Sequence, residues 1–151
     1  MKMLKLLTGS GDKFGPFVLP FIILGFILYF IFPSLFSIPQ SNLLKIFGLL
    51  LLISGLIVCI WSQILILIKV PKKQLITKGP YALVKHPLYT GVSLLVLPGL
   101  GFLLGNLLGI LFGLILYIAT RIYRPEEEKR MKKEFGEKYE KYSKSVLFPR
   151  L

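Results

Sequence analysis

The chain has 151 residues, 54% of them hydrophobic and only 17% charged, with a mean hydropathy of +0.73. That balance excludes an ordinary soluble domain and leaves an integral membrane protein. The net charge of +12 could point to nucleic acid, but the basic residues stand in blocks between apolar runs, without the aromatic platforms such binding uses, so no nucleic-acid partner is expected.

Four uncharged or nearly uncharged runs follow one another, at 17–36, 43–68, 88–104 and 105–123. A helix needs about 20 apolar residues, with a range of roughly 17 to 25, to cross a bilayer core, so the sequence predicts an all-α polytopic membrane bundle of about four transmembrane helices. The first run is long, carries Pro20 and Pro33, and has no small-residue cleavage site after it. It is expected to remain as an anchor rather than leave as a signal peptide. Pro16 and Pro20 are expected to flank the entry to this span.

Lysines precede the first run, and Lys69, Lys72, Lys73, Lys78 and Lys85 separate the second from the third. From Arg121 onward there are 10 more Lys and Arg, whereas the connections at 37–42 and 101–106 carry no charge. By the positive-inside rule, both termini and the 69–87 loop face the cytoplasm. The basic excess sets topology first and attracts anionic headgroups second.

The second run contains Trp61, read as a packing or interfacial aromatic, and Cys59. One cysteine and one histidine in the whole chain exclude an internal disulfide and a Cys/His zinc cage, and no metal is expected. The third and fourth runs meet at Pro98, Gly99, Gly101, Gly105 and Asn106, turn formers that make a tight helical hairpin. Gly105, Gly109 and Gly113, spaced by four, would let helices approach closely.

Beyond Tyr123 the pattern becomes amphipathic, with Met131, Phe135, Tyr139, Tyr142 and Val146 on one stripe. Glu126/Arg130, Glu128/Lys132, Glu134/Lys138, Glu137/Lys141 and Glu140/Lys144 are each spaced for a helical ion pair. The sequence therefore predicts a C-terminal amphipathic helix starting at Pro125 that lies on the membrane face or caps the bundle. The chain reads as one domain, with 1–69 as anchoring spans and 70–151 as the functional core.

Two polar clusters sit at the same end of the hairpin. The first is Gly79-Pro80-Tyr81 through His86-Pro87-Leu88-Tyr89-Thr90-Gly91; the second is Arg121, Arg124 and Glu126-Glu127-Glu128. Pro87 would start a helix whose positive end faces an anionic group, with Tyr81 and Tyr89 as amphipathic walls. His86 alone would serve equally as an interfacial hydrogen-bonding group. The three glutamates would serve equally as first-turn charges, and the two arginines as membrane anchors.

The run from Gly79 to Gly91, followed one hairpin later by Glu127-Glu128-Lys129-Arg130-Met131 and then Phe135-Gly136-Glu137-Lys138-Tyr139 and Tyr142, resembles the isoprenylcysteine carboxyl methyltransferase and phospholipid N-methyltransferase superfamily. The resemblance covers roughly 70–151. It implies a membrane-embedded methyltransferase with S-adenosylmethionine as cofactor. Tyr81, His86, Pro87, Leu88 and Tyr89 fall on the cofactor motif, Leu75 and Ile76 on a preceding contact segment, and Glu127 and Glu128 on the acidic motif.

Lys85 stands where the family usually has Arg, and a substrate-contacting Arg of the isoprenylcysteine branch falls on Tyr123, beside Arg124. The expected acceptor is a lipid or prenylated small molecule or peptide, foremost an isoprenylcysteine-type carboxylate, because Arg121 and Arg124 end the fourth span and as catalytic residues would orient an anion there. The alternatives are a phospholipid amine, an NADPH-dependent reductase resembling sterol reductases, and a non-catalytic lipid-binding protein.

Overall fold

The computed structural model describes residues 11–148, and among these the chain is helical, without strands. Helix α1 runs over Gly11–Ile31 and is followed by a 3₁₀ turn at Pro33–Phe36. Then come α2 (Asn42–Lys69), the single turn α3 (Pro80–Leu83), α4 (Pro87–Leu104), α5 (Leu107–Phe135) and α6 (Glu137–Ser145). Helices α2, α4 and α5 are long and apolar enough to span a bilayer, and α1 adds a shorter apolar stretch at Pro16–Ile31. Pro16 and Pro20 lie inside α1 rather than ahead of it. Lys2 and Lys5 of the basic N-terminal block lie outside the described residues.

The principal contacts order the bundle as α1, α5, α4, α2. Most large apolar side chains of α1 and α2 point outward, Leu43 and Leu50 among them, as expected when the solvent on that side is lipid. With little to gain from apolar burial in lipid, helix pairing relies on small residues that let backbones touch. Helix α2 supplies them at seven-residue spacing: Gly48, Gly55 and Ser62 are all buried. Gly48 and Gly55 meet α4, where a Cβ on Gly99 would stand 2.7 Å from the Leu52 amide nitrogen and 2.9 Å from the Gly48 carbonyl oxygen. Gly109 and Gly113 play the corresponding part between α5 and α4, but Gly105, at φ 66°, forms the turn instead.

The uncharged end is closed by polar contacts between the two short connections. Ile38 N donates to Gly105 O at 2.9 Å and Gln40 Nε2 to Phe102 O at 3.3 Å, while Asn106 caps α5 by accepting from Leu108 N at 2.8 Å. The charged end holds the 70–86 loop, the C-terminal part of α5 and α6. If the positive-inside rule governs orientation, a cysteine at exposed Leu104 should be labelled from outside intact cells and one at Lys78 should not, with Cys59 first changed to Ala. Labelling at Lys78 alone would reverse the topology.

The C-terminal region differs from its expected form. No new helix starts at Pro125; α5 continues through it to Phe135. Proline removes one i to i−4 bond, but the residues around it are good helix formers already in register with a long helix. Glu126, Glu127 and Glu128 therefore occupy a helix interior, not a first turn. The break falls instead at Gly136, whose φ of 53° favours glycine.

Helix α6 then folds back, so that Tyr139, Tyr142 and Val146 pack on Leu75, Tyr81, Met131 and Phe135. The predicted stripe is thus shared by two helices and caps the bundle. Glu128 reaches Lys85 rather than only its own helix, and Lys132 pairs with Glu140 at 2.7 Å across the break.

Candidate functional site

The folded-back α6 and the 70–86 loop enclose a cleft over the mouth of the α4/α5 hairpin. It holds about 930 Å³ of space when its open, solvent-filled mouth is included. Ile66 and Val70 from the end of α2 form one wall, and Glu127, Met131, Glu134 and Phe135 from α5 form the facing one. Lys73, Gln74, Ile76 and Tyr81 come from the loop and α3, and Lys85, His86, Leu88 and Tyr89 from the start of α4. Tyr139 and Tyr142 of α6 close the top.

Local geometry explains the placement. Gly79, at φ 66°, turns the chain into α3 against Trp61, whose ring atoms would lie 3.0 Å from an added Cβ; the tryptophan read as a packing aromatic thus braces the segment that carries Tyr81. Pro87 occupies the first turn of α4 and is fully buried, which leaves His86 at the N-cap with its side chain directed to α5. The Tyr142 hydroxyl donates to the Tyr81 carbonyl at 2.8 Å. Leu147 N and Phe148 N donate to Ala82 O and Leu83 O, so the C-terminal segment straps α3 in place.

His86 sits between two carboxylates. Its Nδ1 is 3.8 Å from Glu127 Oε2 and its Nε2 3.8 Å from Glu128 Oε1, while the other Glu128 oxygen meets Lys85 Nζ at 3.2 Å. His86 Nε2 is buried without a hydrogen bond. The Tyr89 ring lies 6.4 Å from the imidazole, centroid to centroid. Burial pushes the Tyr81 phenol well above its usual range, and the negative charge of Glu127 adds to the shift. Tyr142 is raised chiefly by burial as well. Both phenols stay protonated donors across physiological pH.

Of the residues singled out from the sequence, Ile76, Tyr81, His86, Leu88, Tyr89 and Glu127 line this one cleft. Leu75 packs against Tyr139 and Tyr142 and lines the neighbouring hollow instead, and Pro87 and Glu128 are outside the lining. Arg121 is exposed on α5 and Arg124 is buried at 7% accessibility, and neither is among the lining residues. The α6 tyrosines, Glu134 and Gln74 were not anticipated as walls. The amphipathic stripe and the family resemblance both contained Tyr139 and Tyr142, but the stripe reads as packing until α6 is seen to turn back.

The Lys85–Glu128 contact carries a prediction. Lys85→Met should destabilise the protein by about 1 to 2 kcal/mol, below the ~3 to 5 kcal/mol of a fully buried pair because Glu128 keeps some solvent access, while Lys85→Arg should keep the contact. Thermal melting of the detergent-purified variants measures the difference. Equal midpoints for Met and wild type would mean the contact adds nothing.

Searches among curated proteins and among solved structures each return no match. A family model does match: that of phospholipid methyltransferases covers residues 43–138, from the start of α2 into α6. The match takes in both polar clusters, the hairpin that joins them and the cleft walls from Ile66 to Phe135, and on that ground the chain belongs to the phospholipid methyltransferase family.

Proposed function

We propose that this membrane methyltransferase transfers a methyl group from S-adenosylmethionine to the amine of a phospholipid headgroup. The cleft residues suit that cofactor on the structure's own terms. Tyr81 and Tyr89 offer aromatic faces to a cation, and Glu127 offers an acceptor for hydroxyls. S-adenosylmethionine, when bound, supplies an electrophilic methyl on a sulfonium cation. Ile66, Val70, Leu88 and Met131 keep water from the reacting groups, and α6 with its strap holds the Tyr81 wall in register.

The observation that carries the choice of acceptor is the charge on the walls. Glu127 and Glu134 line the cleft together with Lys73, which also borders the neighbouring hollow, and Lys85, which is engaged with Glu128, while Arg121 and Arg124 stand outside the lining. Carboxylates at a mouth attract an ammonium headgroup, and Glu134, exposed there, is suited to accept at a carboxylate oxygen the proton an ammonium must lose before attack. A prenylated carboxylate needs no base, but it would need the arginines to reach it.

Methyl transfer from labelled S-adenosylmethionine should be measured on the full chain in nanodiscs, with phosphatidylethanolamine in one arm and a prenylcysteine carboxylate in the other. Labelled phosphatidylethanolamine is the expected product. Labelling only of the prenylcysteine would return the acceptor to the carboxylate class. Binding of NADPH without S-adenosylmethionine binding would support the reductase reading.

A further inference from the structure

A second groove lies on the far side of Phe135 and Tyr142 from the cleft, between the loop that follows α2 and one face of α6. Lys73, Gln74 and Thr77 form its loop side, and Lys138, Lys141 and Ser145 its helix side. None of the lining residues is acidic. Helix α6 sorts its charges to produce this: Lys138, Lys141 and Ser145 fall at steps of three and four along one face, whereas Glu140 and Lys144 lie on a different concavity with Glu128 and Lys129. Three ammonium groups, the Thr77 hydroxyl and the Gln74 amide around one hollow are donors suited to phosphate oxygens, the Ser145 hydroxyl being donated to Tyr142 O at 2.9 Å.

Two further features tie the groove to the bilayer. The apolar helix α2 ends at Lys69, and Lys73 follows only four residues later, so the groove sits at headgroup depth and not out in solution. Lys73 is also the sole non-glycine residue with positive φ, 52°, among the described residues. Its turn is held by Lys73 N donating to Val70 O and Gln74 N to Lys69 O, with Lys69 Nζ donating to Gln74 Oε1 at 3.0 Å. A strained backbone held this firmly at a ligand-facing position has the character of a functional clamp.

We infer that this groove binds the phosphate of an anionic phospholipid in the same leaflet, as a site separate from the methyl-transfer cleft. Its occupant would brace the loop and α6 together. Lys73, Gln74, Phe135 and Tyr142 border both hollows, so lipid in the groove bears directly on the cleft wall. The inference does not depend on which acceptor is methylated.

Native mass spectrometry of the full chain, titrated in neutral detergent with phosphatidylglycerol or phosphatidylcholine, tests it. Wild type should retain phosphatidylglycerol in preference to phosphatidylcholine. K138Q/K141Q should weaken that binding on the order of tenfold, since each lysine near a membrane surface contributes appreciably. K138R/K141R should preserve it, and K129Q/K144Q, with the same charge loss on the other face, should leave it unchanged. Circular dichroism of each variant confirms the fold. Equal phosphatidylglycerol binding by K138Q/K141Q and wild type, or an equal loss in K129Q/K144Q, would overturn the site. Full displacement by equimolar inorganic phosphate would make it a site for a soluble anion and overturn the lipid assignment.

Discussion

Glu127→Gln and His86→Ala should each weaken S-adenosylmethionine binding by about 10- to 100-fold, the equivalent of one charge-assisted hydrogen bond of roughly 1.5 to 3 kcal/mol. Both side chains line the cleft, one from α5 and one from the N-cap of α4, and His86 Nδ1 lies 3.8 Å from Glu127 Oε2. Groups that close act on a shared ligand as a unit, so the double variant should lose less than the sum of the two single losses. Calorimetric titration of the four proteins completes the cycle. Unchanged affinity in both single variants would remove the cofactor from this cleft, and strict additivity would mean that the two residues touch it independently.

That pair also shows where the sequence is readable. His86-Pro87 marks a helix start by local chemistry alone, and one apolar hairpin of known rise must return Glu127 to the same end, so both residues could be assigned to one site before any coordinates. The tightness of the hairpin was legible for the same reason, from its glycines and Asn106. Tertiary contacts had no such local signal. The Tyr142 hydroxyl meets the Tyr81 carbonyl across 61 positions of chain, and nothing near either residue announces it. Pro125 misled because proline is common at the first turn of a helix, yet a helix already running can carry it. Arg121 and Arg124 drew attention by charge, while the face of α5 that reaches the cleft is the one bearing Glu127, Met131 and Glu134. In α2, Gly48, Gly55 and Ser62 went unnoticed because small residues in an apolar run look like composition until a partner helix lies against them.

Gly99→Leu should cost about 3 kcal/mol or more, the top of the usual range for overpacking, and should abolish cofactor binding with it. The side chain would meet the Leu52 amide nitrogen at 2.7 Å and the Gly48 carbonyl oxygen at 2.9 Å. Both are helix backbone, which cannot rotate aside as a side chain would, so α2 and α4 must separate. The cleft depends on that contact at its other end: α2 contributes Ile66 and Val70, α4 contributes Leu88 and Tyr89, and splaying the helices parts the walls proposed to hold the cofactor. Gly136→Ala is the matching control. No atom lies within 4 Å of its added Cβ, so only its backbone at φ 53° and ψ −129°, a conformation other residues rarely adopt, resists it, at about 1 to 3 kcal/mol. In detergent, the thermal midpoint of Gly99→Leu should fall well below that of Gly136→Ala. A midpoint for Gly99→Leu close to wild type would mean that α2 and α4 do not meet backbone to backbone, and the cleft as built from both would then have to be abandoned.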